Sequence, residues 1–145
     1  MSELQTRRPK RLWVAALMNI AVGLMAMVFV VFFSLSSRVP DEARLGTGSI
    51  VFAVITTSLL IVSSVLALFG KRRWDRIMLS AALVYYGSVL AQNASLLVQS
   101  EELIIPVQKV VANVARSGIE IAINLWAILS AKTRFFFRHA SASPQ

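Results

Sequence analysis

Three stretches of this chain, Leu12 to Phe33, Gly48 to Phe69 and Ile77 to Val98, contain no formally charged residue. A hydrocarbon core about 30 Å thick is crossed by roughly 20 apolar residues of helix, and each stretch is that long. A fourth stretch, Val110 to Ser130, also has the length but carries Arg116 and Glu120. Backbone polar groups in hydrocarbon must be satisfied within the chain, so such runs fold as helices. The pattern predicts an all-α integral membrane protein: four transmembrane helices in an antiparallel bundle, spanning about 12–33, 48–69, 77–98 and 110–130. Composition agrees, with 57% hydrophobic and 15% charged residues. That supply of polar groups is too small to cover a water-soluble fold of this size.

The net charge of +8 could suggest nucleic acid, but the cations sit beside the apolar runs. Arg7, Arg8, Lys10 and Arg11 precede the first span; Lys71, Arg72, Arg73 and Arg76 separate the second and third; Lys132, Arg134 and Arg138 follow the fourth. Only Arg38, Arg44, Lys109 and Arg116 lie on or towards the other side. By the positive-inside rule both termini and the middle loop are cytoplasmic, as in a small bacterial inner-membrane protein. The clusters are expected to contact anionic lipid headgroups, with no nucleic-acid partner. The basic start and apolar run, followed by Ser34-Leu35-Ser36, resemble a signal peptide in outline. The run exceeds the roughly 7–15 residues of a signal core and is read as a retained span.

The domain plan follows: a basic cytoplasmic segment 1–11, a membrane domain 12–134, and a juxtamembrane foot with a disordered tail, 135–145. In the first outer loop, Pro40-Asp41-Glu42 can open a short helix. The middle loop, Gly70 to Arg76, is short enough to make spans two and three antiparallel neighbours. Trp13, Trp74 and Trp126 are expected at the headgroup level. Pro106 is expected as the first residue of the fourth helix. The foot carries Phe135, Phe136 and Phe137 between Arg134 and Arg138, the composition of an interfacial anchor or a lipid- or partner-binding surface.

Small and polar residues at helical spacing mark the faces that should turn inward, because small residues let helices approach and polar ones bond across them. The stripes are Ala15, Asn19, Gly23 and Ala26 in span one, and Ser49, Ala53, Thr56, Thr57 and Ser64 in span two. Span three offers Ala81, Tyr85, Ser88, Gln92 and Ser95; span four offers Asn113, Ser117, Glu120 and Asn124. Of the adjacent Tyr85 and Tyr86, at most one can face inward.

Glu120 is the sharpest feature, since an acid near the centre of a span costs about 2.5–3.5 kcal/mol on insertion scales. Arg116 can meet it at i,i+4, or can extend to the interface and leave Glu120 to a proton or to Asn124, Ser117, Asn19, Gln92 or Tyr85. Three uses follow for Glu120, Arg116, Asn124, Asn113, Asn19 and Gln92. They form a polar cluster that fixes helix register, a site where a carboxylate exchanges a proton for a cation, or a face that docks another membrane subunit. Four short spans with a membrane glutamate resemble the architecture of the small multidrug transporters. Their glutamate belongs to the first helix, whereas the first span here holds no acid, so no residue is carried over.

The chain has no cysteine and one histidine, His139, which excludes disulfides, thiol chemistry and multi-histidine metal sites. It also lacks Gly-rich phosphate loops and serine-nucleophile motifs, and its only aspartates, Asp41 and Asp75, fall outside the spans. The expectation is a non-enzymatic protein without a cofactor, packing with itself or with a larger membrane complex. The alternative is a small oligomeric proton-coupled transporter using Glu120.

Overall fold

The computed structural model describes residues 9–35, 46–71, 73–98 and 106–140. Regular structure in them is entirely helical: α1 (Lys10–Leu35), α2 (Thr47–Leu68), α3 (Trp74–Val98), α4 (Val107–Leu129) and α5 (Ala131–Ala140). The short helix expected at Pro40-Asp41-Glu42, the tail 141–145, and Arg7, Arg8 and Arg72 lie outside the described residues.

Each boundary has a local cause. The Pro9 carbonyl accepts the N–H groups of Leu12 and Trp13 at 3.0 and 3.3 Å, closing the first turn of α1. Helix α2 stops at Gly70, whose φ of 71° is left-handed and whose N–H donates to the Ala67 carbonyl at 3.0 Å. Glycine takes this conformation without the Cβ penalty, a common helix end. Arg73, also left-handed at φ 69°, turns the chain into α3. Pro106 flanks α4 rather than opening it, and its carbonyl accepts the Lys109 N–H at 2.9 Å.

Helices α1, α2 and α3 are each long and apolar enough to cross a membrane. Helix α4 reaches that standard only together with α5, from which it is bent by 55°. The reason lies in the sequence of α4, where Lys109, Asn113, Arg116, Glu120 and Asn124 interrupt the apolar residues. The bend is built at Ser130, whose extended backbone ends α4. Its Oγ accepts the Thr133 N–H at 3.3 Å, capping α5, and lies 2.8 Å from Thr133 Oγ1.

Helix α1 packs on α2, α2 on α3, α3 on α4, and α4 back on α1 and on α5; of the neighbouring long helices, α1 and α4 share the sparsest contact. Leu12, Ala15, Ala16, Ala67, Met78, Ala127, Ile128 and Phe137 form a buried cluster at the end where α1 and α3 begin and α2 and α4 finish. Its many alanines permit close helix approach. Gly23 makes the tightest fit: a Cβ there would lie 2.6 Å from Ile61 Cγ1. The outward surfaces are apolar, with Leu24, Val28, Phe32, Val51, Ile55 and Val84 exposed. Such continuous apolar surface suits lipid rather than water.

The three phenylalanines of α5 divide. Phe137 enters the buried cluster, Phe136 packs against it and Phe135 is exposed. The described members of the cationic clusters, Lys10, Arg11, Lys71, Arg73, Arg76, Lys132, Arg134 and Arg138, are all exposed around this same end. Arg11 stacks over the Trp126 ring at 4.4 Å, tying the start of α1 to the end of α4.

The stripes predicted for α1, α2 and α4 coincide largely with buried faces. Ala15, Asn19, Gly23, Thr56, Thr57, Ser64, Ser117, Glu120 and Asn124 are buried. Ala26 and Ala53 are half-buried, while Ser49 and Asn113 are exposed. The stripe predicted for α3 is rotated from the observed one: Met78, Ala81, Ala82 and Tyr86 are buried, whereas Gln92 and Ser95 are exposed. Ser88 and Ser95 hydroxyls donate to carbonyls three residues earlier on the same helix, Tyr85 and Gln92, at 2.8 Å. A hydroxyl satisfied in this way needs no neighbouring helix and carries little information about facing.

Candidate functional site

Just beyond the apolar cluster, one polar layer joins three helices. Asn19 of α1 and Asn124 of α4 exchange amide hydrogen bonds. Asn19 Nδ2 donates to Asn124 Oδ1 at 2.8 Å, and Asn124 Nδ2 donates back to Asn19 Oδ1 at 3.0 Å. The Tyr86 hydroxyl of α3 donates to the same Asn19 Oδ1 at 3.0 Å. Asn124 Nδ2 also donates to the Glu120 backbone carbonyl at 2.9 Å. All three side chains are almost wholly buried, so the layer spends its polar groups on one another.

Glu120 lies one turn along α4 from this layer, away from the cationic end. Its carboxylate Oε1 accepts Arg116 Nε at 2.9 Å. The partners differ in environment: the Arg116 side chain is 59% exposed and that of Glu120 only 11%. Arg116 therefore both reaches outward and holds the acid. The other partners considered for the carboxylate are used differently; Asn124 bonds the Glu120 main chain, and Asn19 bonds Asn124 and Tyr86.

Two adjoining cavities occupy the half of the molecule beyond the polar layer. One, about 230 Å³, is lined by Glu120, Arg116, Asn113, Asn93 and both tyrosines, with Val22, Met25 and Phe29 of α1 opposite. The other, about 500 Å³, lies among α1, α2 and α3 and is bounded by Phe29, Val30, Phe52, Thr57, Ser88 and Gln92. Ala26, Phe29, Tyr85 and Val89 form a wall common to both. Most of this lining is apolar. Buried hydroxyls without a partner occur at Thr57, on the larger cavity, and at Ser64.

The six candidate residues thus separate into three groups. Asn19 and Asn124 form the layer, Arg116 and Glu120 form an ion pair at the smaller cavity, and Asn113 and Gln92 stand nearer the helix ends. Asn113 donates to Asn93 at 3.4 Å, and Gln92 lines the larger cavity without joining the others. Sequence reasoning sets Tyr85 rather than Tyr86 on the inward stripe of α3 and gives Asn93 no role. Met78, Ala82 and Tyr86 repeat at i, i+4, i+8, a signal that favoured Tyr86, but Tyr85 belonged to a longer run of small and polar residues. Comparison of the chain with protein-family models, curated proteins and solved structures finds no match.

Proposed function

We propose that this chain is a small, non-enzymatic multi-pass membrane protein of structural or interaction type. Its four spans form an antiparallel bundle in the bacterial inner membrane, with both termini cytoplasmic, and it packs with itself or with a larger membrane complex. The observation that carries this reading is the closed polar layer of Asn19, Asn124 and Tyr86. Polar groups committed to each other at mid-depth fix helix register and seal the interior, which is what a packing unit needs and a continuous transport path does not. The gathering of the described flanking cations and all three tryptophans at one end supports the orientation, with anionic headgroups as the partner there.

The second reading, a small oligomeric proton-coupled transporter, is favoured by the cavity that reaches Glu120. Reconstituted proteoliposomes under an imposed pH gradient separate the two. The structural reading expects proton flux equal to that of empty vesicles and migration of the native extract as an assembly larger than one chain. A flux abolished by Glu120→Gln overturns it. Topology is read separately in intact cells with an impermeant thiol reagent. Single cysteines at Arg73 and Ser141 should stay unlabelled, and ones at Ser37 and Gln99 should react.

A further inference from the structure

We infer that the smaller cavity holds the headgroup of a zwitterionic phospholipid, its phosphate on Arg116 and its ammonium on Glu120, with an acyl chain in the adjoining larger cavity. The charge arrangement comes first. Arg116 uses Nε for Glu120, leaving its terminal nitrogens for an anion, and Glu120 uses Oε1, leaving Oε2 for a cation. One positive and one negative group on the same cavity complement a ligand carrying both charges. Neither a simple anion nor a simple cation satisfies the pair, because each leaves one side facing a like charge.

The way in is from the bilayer. Helices α1 and α4 meet at Asn19 and Asn124 and share the sparsest contact of the long neighbours, and the cavity begins beyond that link. At its edge, Met25 and Phe29 are each 55% exposed, as is 59% of the Arg116 side chain. An apolar rim with one projecting guanidinium suits a molecule that arrives along the membrane with its chain in hydrocarbon. Beyond the wall of Ala26, Tyr85 and Val89, the about 500 Å³ cavity is predominantly apolar and falls within the roughly 300–1,000 Å³ range of small-ligand sites. The inference rests on membrane insertion but not on the structural role proposed above, so either can fail alone.

The test uses the full chain, delipidated in detergent, titrated with phosphatidylethanolamine or phosphatidylglycerol of identical acyl chains and read by native mass spectrometry. One phosphatidylethanolamine per chain is expected, bound roughly tenfold more tightly than phosphatidylglycerol, the size of one charge-assisted hydrogen bond. Glu120→Gln should cancel or invert that preference by freeing Arg116 for the anionic lipid, and Glu120→Asp should restore it. Ala26→Phe, which narrows the shared wall and leaves both charges in place, should weaken retention of both lipids. If Glu120→Gln does not fold, Ala26→Phe is the decisive variant, and unchanged retention of both lipids in it overturns the proposal. Equal binding of the two lipids by the unaltered chain, or a preference that survives Glu120→Gln, overturns the proposal. Displacement by glycerophosphoethanolamine at the same concentration overturns the lipid assignment in favour of a free zwitterion.

Discussion

Replacing Asn124 by leucine removes both amide bonds between α1 and α4 and leaves Asn19 Nδ2 without its 2.8 Å partner in a fully buried layer. Interhelical hydrogen bonds in membranes average about 0.6 kcal/mol and reach about 1.7, so loss of two predicts about 1–3 kcal/mol of destabilisation. Asn19→Leu breaks the same two bonds and also strands the Tyr86 hydroxyl, placing it at the upper end of that range. The double variant removes both amides at once, leaving only the Tyr86 hydroxyl unpaired. It should cost less than the sum of the single changes by about 1–2 kcal/mol, because the largest penalty comes from leaving one buried partner behind. Unfolding by sodium dodecyl sulfate in mixed micelles, followed by tryptophan fluorescence, gives the four free energies of the cycle. Gln92→Leu serves as the comparison and should change stability by less than about 0.5 kcal/mol, since that side chain is exposed. Single variants as stable as the unaltered chain, or costs that simply add, would refute the reasoning that this layer couples α1 to α4.

Two further outcomes follow from packing and capping. Gly23→Ala places a Cβ 2.6 Å from Ile61 Cγ1 and should destabilise by about 1–3 kcal/mol in the same titration; in an Ile61→Ala background the cost should vanish. Ser130→Ala removes the cap of α5 and should cost about 0.5–2 kcal/mol, confined to that helix. Amide exchange from Thr133 to Phe137 should accelerate, while exchange near Asn19 and Asn124 stays unchanged.

The helical class and the approximate bounds of the long helices were legible because hydrocarbon leaves the backbone so few options: long uncharged runs admit little besides helix. The alternation of cationic clusters was equally legible, and the structure sets the described members of those clusters around one end. The faces of α1, α2 and α4 could be read in large part, since mid-span asparagines and an acid must find partners. Arg116 and Glu120 are four residues apart, so their contact was open to sequence reasoning and required only the geometry of one helix.

What tertiary structure decided is whatever depends on rotation and distance between helices. Serine hydroxyls bond their own helix backbone, so the small-polar stripe on α3 did not fix its rotation, and Tyr86 rather than Gln92 meets Asn19. The division of the polar residues into a mutually hydrogen-bonded layer and a separate ion pair at a cavity depends on how α1, α3 and α4 are placed against one another. No periodicity encodes that placement. Alanines gather in the buried cluster at one end of the molecule, whereas Phe29, Val89 and Tyr85 line the cavity further along. The sequence alone determined that this chain carries polar groups within its apolar helices; only their placement in three dimensions decided which bond to each other and which line a cavity.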